Sequence, residues 1–471
     1  MSQLIDRVRE MSLLKDIYSR EGARLFILYG RRRTGKSRLL MESLKGEDGL
    51  YYMAVETALE DNLSNMSKRM GEFLGDGTFH RIEFGGIEEI LEEFSSRAPA
   101  GTVLVIDEFP YLFKYRPHIL SEIQRVWDLH LSERDIKIVL CGSSISMMEN
   151  KVLSRSSPLY GRREGQWKLM PLPIGNIKDF LPSYDLEDIF RTYSVCDGIP
   201  EYLLKFRKDR GFFWNLDNRV LRKGEYLSDE GRILLLQEFS NISNYTYILE
   251  AVSCGIGRQK EISDRTGMDK GMISKYISNL TLAGFLEYQV PFGIKKRNRM
   301  GRYIFSDNYM QFYFRFIQPQ RTEMELDTLD YNMIKEGFEM SMGRIFEKGV
   351  IDLMKRSGRF SQVSTWWYKE DELDVVALDK GGKEVLLGDL KWRNRKYSGD
   401  DLGRFLERCE KVPVNRKKVK FILSRNGFRS NILGEMEDKG LLHFHLDDLK
   451  SAVSSSSFDP RLHFGNPPPG N

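Results

Sequence analysis

The sequence predicts an α/β protein of several domains, and three observations lead to that prediction. Near the N-terminus the apolar run LFILYG is followed by a short glycine-containing loop and then by the helical pattern SRLLMESLK. A second apolar run, TVLVID, ends in two acids. Uninterrupted apolar strands of this kind are typical of a parallel sheet that helices cover on both faces. The third observation is the length of 471 residues, which is enough for about three domains.

The loop between the first strand and its helix reads GRRRTGKS and matches the phosphate-binding pattern GxxxxGK[ST] at every specified position. In this pattern, backbone N–H groups and the helix N-terminus cradle phosphates, the lysine reaches the terminal phosphates, and the hydroxyl binds Mg²⁺. We therefore expect Lys36 to act on ATP as a catalytic residue and Ser37 to ligate the metal. The predicted nucleotide-binding residues of this segment are Gly30, Arg31, Arg32, Arg33, Thr34, Gly35, Lys36, Ser37 and Arg38.

The two acids that end the second apolar run are Asp107 and Glu108. We expect them at the carboxyl edge of the sheet, where α/β folds bind their ligands. Asp107 is predicted to hold Mg²⁺, and Glu108 to orient or deprotonate the attacking water as a catalytic residue. The alternative is an acidic pair at a helix N-terminus, which the preceding phosphate loop disfavours. The next strand, IKIVLCGSS, places Ser143 or Ser144 where a side chain could sense the γ-phosphate.

Three further segments leave their roles open. LYGRR places Arg162 and Arg163 after a turn, either to neutralise transition-state charge or simply on the surface. CDGIPEYLLKF places Pro200 in a Gly-x-Pro turn at the start of a helix. The N-terminal helical pattern carries Arg7 and Glu10, which are expected either beside the adenine or in an ordinary salt bridge.

In this order, the Arg7/Glu10 helix, GRRRTGKS, VLVIDE, the GSS strand, LYGRR and DGIPEYL resemble the archaeal ATPase group of the STAND P-loop NTPases, which have an AAA+-like core. The resemblance implies an ATPase core over 1–172 and a helical bundle over 173–240 whose Pro200 abuts the adenine. It further implies ATP and Mg²⁺ as cofactors and a conformation that the nucleotide switches. Nucleotide-dependent assembly into homo-oligomers is an open expectation.

A third pattern, over 241–320, predicts a winged-helix domain. YTYILEAVSCG, QKEISDRTG and DKGMISKYISNL read as three helices, and two strands then flank the basic loop PFGIKKRNRMG. Lys275 on the third helix and the basic wing could meet DNA phosphates. Contact with a protein, or a hinge role, is the alternative. The basic wing residues are Lys295, Lys296, Arg297, Arg299 and Arg302.

The C-terminal region carries a second set of charged residues. A helical pattern presents Glu347, Asp374 stands at the head of an apolar strand, and Asp389 and Lys391 end the next strand. Because side chains alternate along a strand, Asp389 and Lys391 share one face. Asp374 and Asp389 are therefore predicted metal ligands, with Lys391 positioning or activating water. The alternative is a hairpin whose charged face is exposed to solvent.

This order of helix, strand, Gly-Gly turn, strand and DLKW resembles the PD-(D/E)xK nuclease fold, a restriction-endonuclease-like α/β domain that accompanies archaeal STAND ATPases, over 330–450. The resemblance implies Mg²⁺-dependent DNA cleavage with Glu347, Asp374, Asp389 and Lys391 as catalytic residues. Asp389 departs from the commoner glutamate. The competing interpretation is a signalling or assembly ATPase whose C-terminal domain binds nucleic acid or a protein without cleavage, through Trp392 and its basic neighbours.

Composition bears on the compartment. The four cysteines lie far apart with no CxxC, so the sequence indicates neither a zinc cluster nor a disulfide framework. It shows no signal-peptide pattern, and no apolar run approaches the roughly 18 residues that a membrane span needs. We therefore expect a cytoplasmic protein that does not bind membranes. The polar, proline-rich tail over 451–471 is expected to be disordered.

Overall fold

The computed structural model describes residues 4–79, 81–294 and 300–463. The chain divides into two compact units. The first contains the described residues up to Pro171, together with the short stretches 199–201 and 282–284. The second contains the remaining described residues, which include most of the predicted helical bundle and the described parts of the two predicted C-terminal domains.

The first unit is built on a parallel β-sheet. Its strands are β1 (Arg24–Tyr29), β2 (Gly49–Met53), β3 (Thr102–Asp107), β4 (Ile136–Gly142) and β5 (Gly165–Lys168). The order across the sheet is β2-β3-β4-β1-β5, and every neighbouring pair is parallel. The α/β prediction is therefore confirmed. The α-helices that lie wholly within this unit are α1 (Val8–Ser19), α2 (Lys36–Ser43), α3 (Leu59–Leu74), α4 (Ile87–Arg97), α5 (Pro110–Phe113), α6 (Ile119–Leu129) and α7 (Ile145–Met147).

Helices cover both faces of this sheet. On one face Ile27 and Ile106 pack in a core with the apolar residues of α3, α4 and α6. On the other face Leu28 and Val105 pack with α1 and α2. Because alternate side chains of β1, β3 and β4 enter opposite cores, these three strands have no solvent-facing side, and this accounts for their unbroken apolar runs.

The chain between the two large sheets is mainly helical. Its α-helices are α8 (Ile177–Phe180), α9 (Leu186–Cys196), α10 (Pro200–Leu203), α11 (Phe212–Asn215), α12 (Tyr226–Glu238), α13 (Ser243–Ser253), α14 (Gln259–Thr266), α15 (Lys270–Leu282), α16 (Asn308–Phe312), α17 (Arg321–Glu325) and α18 (Tyr331–Arg356). Strands β6 (Leu286–Gln289) and β7 (Arg302–Phe305) form an antiparallel pair after α15. The predicted wing residues Lys295, Lys296, Arg297 and Arg299 lie outside the described residues.

A mixed sheet lies near the C-terminal end of the second unit. Its strands are β8 (Phe360–Tyr368), β9 (Asp371–Asp379), β10 (Glu384–Lys391), β11 (Lys417–Ser424) and β12 (Leu442–His445), and α19 (Gly399–Lys411) and α20 (Ser430–Asp438) connect the last three. The order is β12-β11-β10-β9-β8. Strands β8, β9 and β10 are antiparallel neighbours, whereas β10, β11 and β12 run parallel. Phe405 of α19 and Met436 of α20 pack with strand residues such as Leu387.

The segment after this sheet is ordered further than the sequence predicts. Helix α21 (Lys450–Ser454) follows β12, and Phe458 is fully buried against Phe444. The backbone N–H of Phe458 also donates to the carbonyl of Leu353. The expectation of disorder from residue 451 is therefore corrected up to residue 463, because one aromatic anchor fixes a polar segment. Residues 464–471 lie outside the described residues.

Across the described ranges, the helices do not combine the length and the apolar character that crossing a bilayer requires.

Candidate nucleotide site and acidic cluster

The phosphate loop joins β1 to α2, and its conformation depends on two glycines. Gly30 has φ +151°, and a Cβ there would lie 2.5 Å from the carbonyl oxygen of Leu169. Gly35 has φ +91°, in the left-handed region, immediately before the helix. Glycine is the residue that adopts such angles without steric cost. The backbone conformation therefore explains why both of these motif positions are glycine.

Lys36 lies at the first turn of α2 and is 5% exposed. Its ammonium donates to the carbonyl oxygens of Gly30 at 2.9 Å and Arg31 at 2.8 Å. Burial lowers the pKa of Lys36. Carbonyl oxygens are neutral, so they do not compensate the charge of the buried ammonium. An anionic phosphate at this position would do so.

The Asp107 carboxylate, at the end of β3, is fully buried. Its Oδ2 accepts hydrogen bonds from the Ser37 hydroxyl and the Tyr51 hydroxyl, each at 2.6 Å. Burial opposes ionisation, but the hydrogen bonds from neighbouring groups hold the pKa of Asp107 below its ordinary value. Ser37 and Asp107 thus present an alcohol and a carboxylate oxygen side by side, the hard ligands that Mg²⁺ takes. These residues fit the metal that the phosphate loop implies.

Glu108 lies next to this pair, and its backbone has φ +49°. A non-glycine residue in that region is strained, and such strain clusters at functional sites. The Glu108 side chain accepts a 2.6 Å hydrogen bond from the Ser143 hydroxyl. Ser143, one of the two serines predicted at this position, therefore contacts Glu108.

The arginines around the loop have defined partners. Arg7 is buried and donates to the carbonyl oxygens of Thr34 and Met170, so α1 is attached to the loop. Arg32 donates to the Tyr111 hydroxyl at 3.1 Å. Arg38 lies 3.7 Å from Glu42. The loop is therefore held by contacts on both sides.

The two arginines of LYGRR bind groups within the same unit. Arg162 makes a two-pronged contact with Asp128, with both distances at 2.7 Å. Arg163 donates to the carbonyl oxygens of Val152 and Leu153. These contacts agree with the surface alternative for Arg162. Pro200 belongs to the same compact unit as the phosphate loop, although the second half of α10, from Tyr202, belongs to the other unit.

In the second unit, two carboxylates converge on one lysine. The Lys391 ammonium lies 3.0 Å from Asp374 Oδ2 and 2.9 Å from Asp389 Oδ1. The antiparallel register of β9 and β10 pairs Val375 with Gly388, and Asp374 and Asp389 are the residues next to this pair on their two strands. Burial acts to lower the pKa of Lys391, but the two carboxylates raise it above its ordinary value. Lys391 is therefore a protonated cation in this arrangement.

Other groups fix the same carboxylates. Asp389 Oδ2 accepts from the Tyr397 hydroxyl at 2.7 Å, and Oδ1 lies 3.3 Å from the guanidinium of Arg408. Asp374 Oδ2 accepts from the backbone N–H of Leu390 at 2.7 Å. Neither Tyr397 nor Arg408 could be predicted from the DLK motif, because both residues lie outside it.

Glu347 of α18 lies close enough to Asp374 to be affected by its charge. Burial and then the Asp374 carboxylate raise the pKa of Glu347 well above its ordinary value. Burial also raises the pKa of Asp374, to about 6, with Lys391 opposing the shift. The described residues contain no group of three or more histidine, cysteine, aspartate or glutamate side chains that could hold a metal ion. Mg²⁺ often takes one or two carboxylates and completes its shell with water and phosphate, so Asp374 and Asp389 fit that narrower role.

Trp392, expected on a binding surface, is instead part of the core. It is 7% exposed and packs against Phe190 and Phe346, with ring centres 5.8 and 5.3 Å away. The guanidinium of Arg425 lies over its ring at 4.8 Å. The expectation is corrected because these aromatic neighbours, distant in sequence, cover the indole.

Two stretches of the chain match known families. Residues 4–206 match an ATPase domain found predominantly in Archaea. Residues 313–402 match a family described as archaeal and bacterial proteins of unknown function. A Walker-type ATPase of Pyrococcus abyssi has a similar fold, with a TM-score of 0.50 at 19% identity, covering 66% of this chain and 96% of that structure.

Relatives are also found among curated proteins. An uncharacterized protein of Methanocaldococcus jannaschii is 33% identical over 400 residues, which cover 83% of this chain and 88% of that protein. A second uncharacterized protein of the same organism is 24% identical over 92 residues, which cover 20% of this chain and 89% of that protein. The first match extends well beyond the ATPase domain. The chain belongs to the family of ATPase-domain proteins found predominantly in Archaea.

Proposed function

We propose that this protein hydrolyses ATP at the phosphate loop and acts as a nucleotide-dependent switch of the STAND type. The observation that carries the proposal is the 2.6 Å hydrogen bond from the Ser37 hydroxyl to the Asp107 carboxylate, next to the strained backbone of Glu108. Bound Mg²⁺ would neutralise charge on the phosphates from this hydroxyl and carboxylate. Lys36 would leave its carbonyl partners and bind the terminal phosphates.

In the proposed reaction, Glu108 orients the attacking water and accepts its proton. Water attacks the γ-phosphorus, the bond to the bridging oxygen breaks, and ADP and phosphate leave. Ser143 holds the Glu108 carboxylate in place. ATP binding and phosphate release measured on the full chain, with Glu108→Gln as the comparison, test this assignment. A wild-type protein that binds ATP but releases no phosphate would limit the domain to binding.

We propose metal-dependent DNA cleavage as a second activity, at the acidic cluster of Glu347, Asp374, Asp389 and Lys391. The contact of two carboxylates with one ammonium, at 3.0 and 2.9 Å, favours it over an exposed charged hairpin. Asp374 and Asp389 would hold Mg²⁺. Because the carboxylates keep Lys391 protonated, its proposed role is to orient water and stabilise negative charge on the phosphate. The competing proposal remains a domain that binds a partner without cutting.

DNA contact by a winged-helix domain is also proposed. Helices α13, α14 and α15 followed by the β6 and β7 pair have the order of that motif, and Lys275 on α15 is exposed. Arg302 is less suited to this role, because it pairs with Glu372 at 2.7 Å and lies over the ring of Trp367.

A cleavage assay separates the two proposals for the acidic cluster. Single-stranded and duplex DNA would be incubated with the full chain and Mg²⁺ or Mn²⁺, with and without ATP. Metal-dependent cleavage that Asp389→Asn abolishes supports the nuclease. Absence of cleavage in every condition, with ATP hydrolysis intact, favours the non-cleaving alternative.

A further inference from the structure

A cluster of arginines lies close to the acidic cluster, around the start of α19. The Asp401 carboxylate accepts hydrogen bonds from Arg393 at 2.5 Å, from Arg395 at 3.0 and 3.1 Å, and from Arg404 at 3.0 Å. We call Arg393, Arg395 and Arg404 the arginine cluster. Three guanidinium groups thus surround one carboxylate.

The arginine cluster exceeds what Asp401 needs for its own stability. Asp401 is 4% exposed and already accepts from the backbone N–H and hydroxyl of Ser398, in a capping box that begins α19. These hydrogen bonds and the arginines hold the pKa of Asp401 well below its ordinary value, although burial opposes the shift. The carboxylate therefore carries one negative charge against three positive charges. The hydrogen bonds to Asp401 thus hold an excess of positive charge in place.

Two of these arginines remain accessible. The side chains of Arg395 and Arg404 are 53% and 64% exposed. A guanidinium carries five N–H donors in a planar fork. Arg395 directs one bond from each terminal nitrogen to Asp401, which leaves further donors for a ligand. Planar forks of this kind match phosphate oxygens.

Tyr397 connects the arginine cluster to the acidic cluster. Its hydroxyl donates to Asp389 Oδ2 at 2.7 Å and lies 3.3 Å from the carbonyl oxygen of Asp401. The Arg393 guanidinium lies 5.7 Å from the centre of its ring. One side chain therefore spans from a proposed metal ligand to the residue that positions the arginines.

We propose that Arg395 and Arg404 bind phosphates of the DNA backbone beside the acidic cluster, with Asp401 as their positioning residue. This inference rests on the proposed cleavage function, since a group of carboxylates repels a polyanion and cations nearby would offset that repulsion. Contacts to phosphates carry no sequence information and serve to position the strand. The site would therefore hold DNA of any sequence.

The test measures binding without cleavage. Labelled duplex and single-stranded DNA would be titrated with the full chain in EDTA at several salt concentrations. Each lost phosphate contact reduces the slope of log affinity against log salt by about 0.9 on duplex and about 0.7 on single strands. The variant Arg395→Ala/Arg404→Ala should therefore lower the slope by about 1.8 or about 1.4, respectively.

Arg416→Ala/Lys417→Ala is the matched control, because it removes the same charge. In the register of β10 and β11, Lys417 lies beside Glu384 at the start of β10, whereas Lys391 of the acidic cluster lies beside Ser424 at the opposite end of the strand. The two control residues are therefore at the far end of β10 from the acidic cluster. The control should keep the wild-type slope. Arg395→Lys/Arg404→Lys should keep most of the slope but bind more weakly, because lysine lacks the fork.

Equal slopes for the alanine variant and the control would overturn the inference, and so would the absence of DNA binding by the wild type. The outcome is independent of catalysis. A reduced slope in the variant, with no cleavage by the wild type in Mn²⁺, would support the phosphate site and reject the nuclease. Cleavage by the wild type, together with an unchanged slope in the alanine variant, would support the nuclease and reject the phosphate site.

Discussion

The hydroxyl of Ser143 donates a 2.6 Å hydrogen bond to the Glu108 carboxylate. Glu108 directly follows β3 and Ser143 directly follows β4, and these strands are parallel neighbours. The contact is thus a direct product of the sheet order. It gives the proposed water-orienting carboxylate a fixed direction beside Asp107.

Ser143→Ala should slow ATP hydrolysis while leaving ATP binding unchanged. A hydrogen bond to a charged group contributes about 1.5–3 kcal/mol, so we expect kcat to fall by roughly ten- to a hundredfold. Phosphate release at saturating ATP measures the rate, and a fluorescent nucleotide measures the Kd. Ser144→Ala is the control, and Ser143→Thr should restore part of the rate. Equal rates for Ser143→Ala and the control would remove Ser143 from the site.

Glu108→Gln should bind ATP normally but hydrolyse it at least about a hundredfold more slowly, because the amide cannot accept a proton from water. Lys36→Ala should instead lose nucleotide binding, because the phosphates lose their cationic partner. Calorimetric titration with ATP distinguishes the two variants. Wild-type turnover by Glu108→Gln would show that another group orients the water.

Asp374→Ala or Asp389→Ala should eliminate divalent-dependent DNA cleavage without changing ATP affinity, because the phosphate loop lies in the other unit. Lys391→Ala should also abolish cleavage but should retain metal binding, since the ammonium is not a ligand. Mn²⁺ binding can be followed by electron paramagnetic resonance in parallel with cleavage. Residual cleavage in both aspartate variants would place the reaction elsewhere.

Glu347→Gln should stabilise the metal-free protein at neutral pH. The raised pKa of Glu347 means that the folded state binds its proton more tightly than the unfolded state does. The contribution of Glu347 to the free energy of unfolding should therefore fall as pH rises from about 4.5 to 7.5. The variant has no carboxylate to ionise at this position and should therefore be more stable than the wild type at the upper pH.

Urea denaturation in EDTA across this pH range measures the effect of Glu347→Gln. The control is Glu370→Gln, which changes an exposed glutamate in the turn between β8 and β9. The two variants should differ at pH 7.5 and converge near pH 4.5. A constant difference at all pH values would mean that Glu347 is not held in an unfavourable charged state.

The parts of the site that the sequence predicted are those defined by neighbours along the chain. The phosphate loop and the Asp107 and Glu108 pair follow apolar strands directly, so their edge of the sheet could be inferred. Tyr51 could not be identified, because its contact with Asp107 depends on the register of β2 against β3. Tyr397 could not be identified for a similar reason, because its contact with Asp389 depends on the conformation of the loop between β10 and α19.

The two wrong expectations, an exposed Trp392 and a disordered segment from residue 451, also arose because contacts distant in sequence decide the structure. Trp392 follows a charged motif and precedes basic residues, which favours an exposed position in a local interpretation. Its burial depends on Phe190, about two hundred residues earlier, and on Phe346. Local composition likewise could not reveal that Phe458 is an anchor in a polar tail.

The pairing of Phe190 with Trp392 has a consequence for biosynthesis. A ribosome adds about 5–20 residues per second, so Phe190 is made roughly 10–40 seconds before Trp392 emerges. During that interval the face of α9 that carries Phe190 lacks its partners and is open to non-native contacts. Folding of the first unit can begin at once, because its sheet is complete by Lys168. The second unit therefore stays incomplete until the later half of the chain has been translated.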